Sequence, residues 1–182
     1  MPPTLDQIPG MYRGSGPQRI TVFPAENPIE AKLYAAFMDN LVNLEWFAYG
    51  FEWNTLGASA VGAQDEIVID QSTDFVIKKM GLISYSAVGT IVANPDYGLE
   101  LRERSGAYNF SDSELHVGTW TGHEDANGGH VFTLPFPRRV KGNNSIIAFL
   151  SNRTATAARV NMALHGIRVE YKRISRETLF PY

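Results

Sequence analysis

The stretch Gly122–His130 (GHEDANGGH) gathers the side chains best suited to chemistry in this chain. His123, Glu124, Asp125, Asn127 and His130 are the ligand types that a hard or borderline cation takes. Their spacing matches neither the two-histidine helix of zinc proteases nor the twelve-residue calcium loop with its closing glutamate. Asn127-Gly128-Gly129 is also the preferred chemistry of a tight turn between strands. A solvated hairpin turn is the expected role, with His123, Asp125 and His130 kept as candidate metal ligands.

Other reaction classes find less. No serine sits in a nucleophile elbow; the run Gly57–Gly62 (GASAVG) misses it by one residue. No phosphate loop or dinucleotide fingerprint occurs. Asp65 and Glu66 are adjacent, and neighbours on a strand point to opposite faces, so they cannot act as a carboxylate pair. With no cysteine in 182 residues, disulfides, thiolate metal sites and cysteine nucleophiles are excluded. No catalytic residue and no cofactor is expected, and the chain reads as a non-enzyme. Trp46, Trp53 and Trp120 leave open a glycan-binding surface on which sugar rings stack, although aromatics in β sandwiches also serve as core or subunit contacts.

Composition narrows the partners. The net charge is −3 and the basic residues are dispersed, so no stripe is available to displace counterions from nucleic acid. No apolar run approaches the ~20 residues that span a bilayer. The N-terminus lacks the basic-then-apolar order of a signal peptide. Nucleic acid and membrane are therefore not expected as partners.

Three segments must position whatever works here: an arm and helix at 1–44, a β domain at 45–173 and a tail at 174–182. Residues 1–26 are rich in proline and glycine yet carry Ile8, Tyr12 and Phe23, too apolar for a typical solvated tail. Such an arm lies on its own domain or docks on a neighbouring subunit. Asn27-Pro28-Ile29-Glu30 reads as a helix start, with a cap, a proline at the first position and a carboxylate that reaches back. Ile29, Leu33, Phe37 and Leu41 then recur every four residues, an amphipathic stripe for packing on the chain's own sheet or on a partner. The tail ends in Leu179-Phe180-Pro181-Tyr182, and Phe180 and Tyr182 suit a groove in the same or another subunit.

From Glu45 onward the pattern is β, with roughly eight strands and no second helical period. Ser145–Leu150 is apolar on both faces and should be central. Asp74–Val88 should be a long strand interrupted at Gly81. In the last strand Val160, Met162 and Leu164 share a face; Ile167, Val169 and Tyr171 stay on it only if a β-bulge adds a residue near His165-Gly166. The expected fold is all-β: a single jelly-roll-like sandwich with an extended N-terminal arm and one amphipathic helix.

The run DFVIKKMGLISY from Asp74, and the later polar turn and apolar strand at Gly142–Leu150, the loop Asn152-Arg153-Thr154-Ala155-Thr156 and the closing Leu164-His165-Gly166, resemble small β-sandwich virion proteins of tailed bacteriophages. The resemblance covers about residues 74–172. It implies a structural subunit of the head-decoration, collar or neck, or fibre-base type. Its implied partners are further copies of itself and other virion proteins such as capsid, portal or tail components. It also implies a place in the virion, after assembly in the bacterial host cytoplasm. Arms and helices exchanged between subunits would hold such a particle together; the residues for that role are Ile8, Tyr12, Phe23, Ile29, Leu33, Phe37, Leu41, Phe180 and Tyr182.

Overall fold

A computed structural model describes residues 28–92, 96–105, 110–111, 113–117 and 130–181. Helix α1 (Pro28–Met38) leads into β1 (Val42–Leu56), β2 (Ala63–Val68), β3 (Thr73–Ser86), β4 (Tyr97–Glu103), β5 (Leu115–His116), β6 (His130–Val140), β7 (Ser145–Asn152) and β8 (Ala158–Tyr171), and a short helix α2 (Arg176–Leu179) follows. Among the described residues these strands form two four-stranded antiparallel sheets, ordered β1-β8-β3-β6 and β2-β7-β4-β5. Eight strands interleaved in this order between two facing sheets make a jelly roll.

Alternation along each strand builds the core. Phe51, Trp53, Phe75, Ile77, Met80, Leu82, Val160, Met162 and Leu164 of the first sheet meet Ile67, Leu99, Leu101, Ile146, Ala148 and Leu150 of the second, all buried. Trp53 donates its indole N–H to the Ala63 carbonyl at 3.1 Å, so its one polar atom is satisfied inside the core. β7 lies between β2 and β4, the interior position its two-sided apolar character requires.

The bulge falls elsewhere than the sequence pattern placed it. β8 pairs with β1 without interruption from Val160 to Tyr171. Leu164 faces the sandwich core, whereas Ile167 and Val169 belong to a second apolar cluster with Leu33, Ala36, Val42 and Val76. The apolar pattern slips because the buried face changes: past Gly166, helix α1 covers the outer side of the sheet. The extra residue is Lys78 of β3, between Ile77, paired with Gly166, and Lys79, paired with His165. Gly81 does not interrupt β3, which runs through it. Gly166 is needed because a Cβ there would sit 2.0 Å from the Val76 carbonyl oxygen beside the bulge.

α1 also differs in detail. Glu30, in its first turn, is completely buried, and its carboxylate lies 2.8 Å from the Lys78 ammonium, which the bulge directs toward the helix. The helix ends before Leu41. Asn40 adopts a left-handed φ of 55°, and the bonds Asn40 N–H to Phe37 O (2.9 Å) and Leu41 N–H to Ala36 O (2.8 Å) form a Schellman cap.

Candidate functional site

The helix splits the four residues of its sequence stripe. Leu33 is completely buried against the chain's own sheet, and burial of such a side chain stabilises by about 1.5–3 kcal/mol. Ile29 and Leu41 are partly buried around the same cluster. Phe37 points away and is 40% exposed, next to Met38 at 47%. A step of four residues advances about 40° past a full turn at 3.6 residues per turn, so Phe37 drifts off the face that Leu33 holds. Trp46 of β1, 44% exposed, pairs in register with Ile167 of the covered cluster and so lies on the same outer face as α1. Among the described residues Phe37, Met38 and Trp46 are the exposed large apolar side chains of α1 and β1. Trp46 was legible as aromatic but not as surface; Trp53, its partner in the sequence reading, is core.

The tail docks in cis. Ser175 caps α2, accepting a hydrogen bond from the Thr178 N–H at 3.2 Å. Leu179 and Phe180 pack on the α1 cluster, and the Arg139 guanidinium stands 4.1 Å over the Phe180 ring. Arg176 reaches the fully buried Asp74 carboxylate, Nε to Oδ1, at 2.7 Å. The same carboxylate accepts the Gly142 N–H at 2.8 Å and the Tyr171 hydroxyl at 2.6 Å. Burial first, and then the bond and negative charge of Asp74, push the Tyr171 phenol above its ordinary range. Asp74 therefore ties β3, the β6–β7 turn, β8 and the tail into one knot. The sequence pattern marked Asp74 only as the start of a strand, since its partners come from distant positions.

Two other polar centres are structural. Asn152 Nδ2 donates to the Gly57 and Thr156 carbonyls at 2.9 and 2.8 Å, while its Oδ1 accepts the Thr154 N–H at 3.0 Å, which shapes the loop between β7 and β8. Glu103 is held above the usual carboxylate range by burial, against the opposing pull of Arg138 and Asn144.

Beyond α1 no element among the described residues covers the outer face of the first sheet. Gly50, Ala163 and Gly81 stand side by side across β1, β8 and β3. With Glu52, Ile83, Asn161 and His165 they line a shallow trough of about 490 Å³. An Arg159–Glu52 ion pair at 2.6 Å lies at its far end.

His123, Asp125 and Trp120 lie outside the described residues, as do Ile8, Tyr12, Phe23 and Tyr182; His130 opens β6, and its side chain is also outside them. Among the described residues no group of three or more His, Asp or Glu side chains is arranged to hold a metal ion, and no helix is long and apolar enough to cross a membrane.

No protein-family model matches the chain, and no curated protein sequence does. Solved structures with a similar arrangement include the Drosophila NLP core, at 16% identity and a TM-score of 0.34, covering 68% of this chain and 98% of that one. The 60-mer form of the BFDV capsid protein is 9% identical with a TM-score of 0.34, covering 74% of this chain and 96% of that one. The infectious bursal disease virus VP2 subviral particle is 12% identical with a TM-score of 0.32, covering 74% of this chain and 38% of that one. The fold assignment rests on the strand order itself, not on these distant likenesses.

Proposed function

We propose that the chain is a non-enzymatic structural subunit of a tailed-bacteriophage virion that acts through contacts with copies of itself and with neighbouring virion proteins. The observation that carries this reading is the outer face of the first sheet, where Phe37, Met38 and Trp46 are presented at the surface beside a helix rigidly seated on its own domain. Large apolar side chains grouped on a rigid face serve association, because their burial against a partner releases water at no cost in reorganisation. The N-terminal segment with Ile8 and Tyr12 supplies an arm for the same purpose, and the resemblance to phage sandwich proteins gives the setting. A decoration, collar or fibre-base position is consistent with this role.

The test is the double variant Phe37→Asp, Trp46→Asp. Both side chains are solvent-facing, so the fold should survive while self-association is lost. Assembly indifferent to both substitutions would overturn the reading. Leu33→Asp is unsuitable, since it buries a charge in the chain's own core.

The exposure of Trp46 favours one second reading, glycan binding by ring stacking. Titration with oligosaccharides while following tryptophan fluorescence separates the two: saturable quenching lost in Trp46→Ala supports sugar binding, and a flat response removes it.

A further inference from the structure

We infer that the pocket around Asp74 is a receptor for an arginine-bearing segment of the form Arg-x-x-Leu-Phe, which the chain's own tail fills as a removable plug and which the tail of a second copy also fits. The body of the domain builds this pocket. Asp74 of β3 meets the Arg176 Nε at 2.7 Å through its Oδ1, and the Gln71 and Thr73 carbonyls accept from Arg176 Nη2 at 3.1 and 3.3 Å. The guanidinium carbon stands 5.6 Å from the centre of the Tyr171 ring. One carboxylate, two carbonyls and an aromatic face suit a planar group with five donors; a lysine ammonium, a compact point charge, could not reach them all. Gly142 makes the room, since a Cβ there would lie 2.6 Å from Arg176 Nη2.

One helical turn extends the recognition. Leu179 and Phe180 follow Arg176 by three and four residues, on the same face, and pack on the α1 cluster, whereas Glu177 and Thr178 are exposed. Arg139 couples the two halves of the receptor: its guanidinium lies 3.6 Å from Asp74 Oδ2 and 4.1 Å over the Phe180 ring.

The tail is held by side chains. Its last backbone bonds to the body run from the Lys172 and Arg173 N–H groups to the Leu41 carbonyl, at 2.9 and 3.1 Å. Beyond them, the backbone bonds of the tail among the described residues close its own turn, from Leu179 N–H to Ser175 O and from Phe180 N–H to Arg176 O. When Arg176 withdraws, Asp74 keeps the Gly142 N–H and the Tyr171 hydroxyl, so the receptor holds its shape with the plug out. The tail of a second copy repeats every one of these contacts, the low-cost exchange of an identical element. Taking the ligand from a second copy deepens the assembly reading and rests on it; the receptor itself does not.

The test uses the full chain with Arg176→Ala, which empties the receptor, and a synthetic peptide of residues 174–181 as the tail of a second copy. The peptide should bind one to one and raise the thermal midpoint of the variant. A peptide carrying Arg176→Lys should bind about tenfold more weakly or worse. The parent chain, with its own plug tethered in place, should respond only at far higher peptide concentration. The parent alone gives a second readout that needs no variant to fold. Its Leu179 and Phe180 amides should exchange hydrogen through a local opening insensitive to low urea, while the β8 amides exchange only as the domain unfolds. No midpoint shift with the peptide, equal binding of the lysine peptide, an equal response of the parent, or tail amides that exchange only with β8 would each overturn the inference. Peptide binding by a chain that stays monomeric on its own upholds the receptor and counts against the assembly reading alone.

Discussion

Glu30 of α1 and Lys78 of β3 form an ion pair at 2.8 Å with side chains 0% and 9% exposed. It joins the helix to the bulge, the point where β3 changes which residues face the sandwich. Two charges out of water are tolerated only together, because either one alone keeps its desolvation cost without compensation. Glu30→Ala should therefore destabilise by about 3–5 kcal/mol. Glu30→Leu with Lys78→Met should recover most of that loss. Urea denaturation of the three proteins checks this; a negligible effect of Glu30→Ala would show that the pair does not hold the helix.

Tyr171 and Asp74 give a prediction in pH. The folded-state phenol is raised above its ordinary value, so the unfolded chain ionises first as pH climbs. The stabilisation is complete below about pH 10, the ordinary tyrosine value, and is lost as pH rises from there. Tyr171→Phe should cost about 1.5–3 kcal/mol at neutral pH, through the lost bond to a buried carboxylate. It should also flatten the alkaline decline relative to the parent. Denaturant midpoints from pH 7 to 11 measure both effects, and parallel pH curves would count against the assignment.

Glycine positions separate hard from soft collisions. An added Cβ at Gly166 would lie 2.0 Å from the Val76 carbonyl oxygen, a backbone atom that cannot swing aside. At Gly98 it would lie 1.8 Å from Glu114 Oε1, the end of a side chain that can move after giving up its bonds to Ser151 and Arg153. Gly166→Ala should cost about 1–3 kcal/mol or more, as overpacking does. Gly98→Ala should cost clearly less. Thermal unfolding of both variants tests the order, and a reversed order would contradict the packing described.

How far the sequence discloses the molecule can be judged residue by residue. Alternation of Val160, Met162 and Leu164, and the two-sided apolar run at Ser145–Leu150, were enough to expect a sandwich with β7 inside. The change of buried face after Gly166 was not legible, because period-2 alternation cannot say whether the next apolar residue faces the core or a covering helix. β6 runs from His130 to Val140 through Pro135 and Pro137, which fall where its register with β3 breaks, between Thr133 and Arg138. The helix stripe was visible, but Asn40 ending it in a left-handed turn was not. Of the candidate surface, Phe37 and Trp46 were recognisable as apolar; that they are exposed while Leu33 and Trp53 are not follows only from the packing.

The Asp74 knot predicts that the tail stabilises the domain that carries it. Removal of residues 174–182 leaves a buried carboxylate without Arg176 and uncovers the α1 cluster. The truncated protein should unfold at clearly lower urea and lose protection of α1 amides in hydrogen exchange. Unchanged protection would mean that the tail merely rests on the surface.

The claim that this jelly roll works by association is met most directly by its absolute mass in solution, measured by light scattering on a size-exclusion column for the full chain and for the chain without residues 1–26. The account predicts a discrete closed oligomer for the full chain and a smaller species after truncation. A full chain that stays monomeric at every concentration, with Phe37, Met38 and Trp46 left in water, would contradict it.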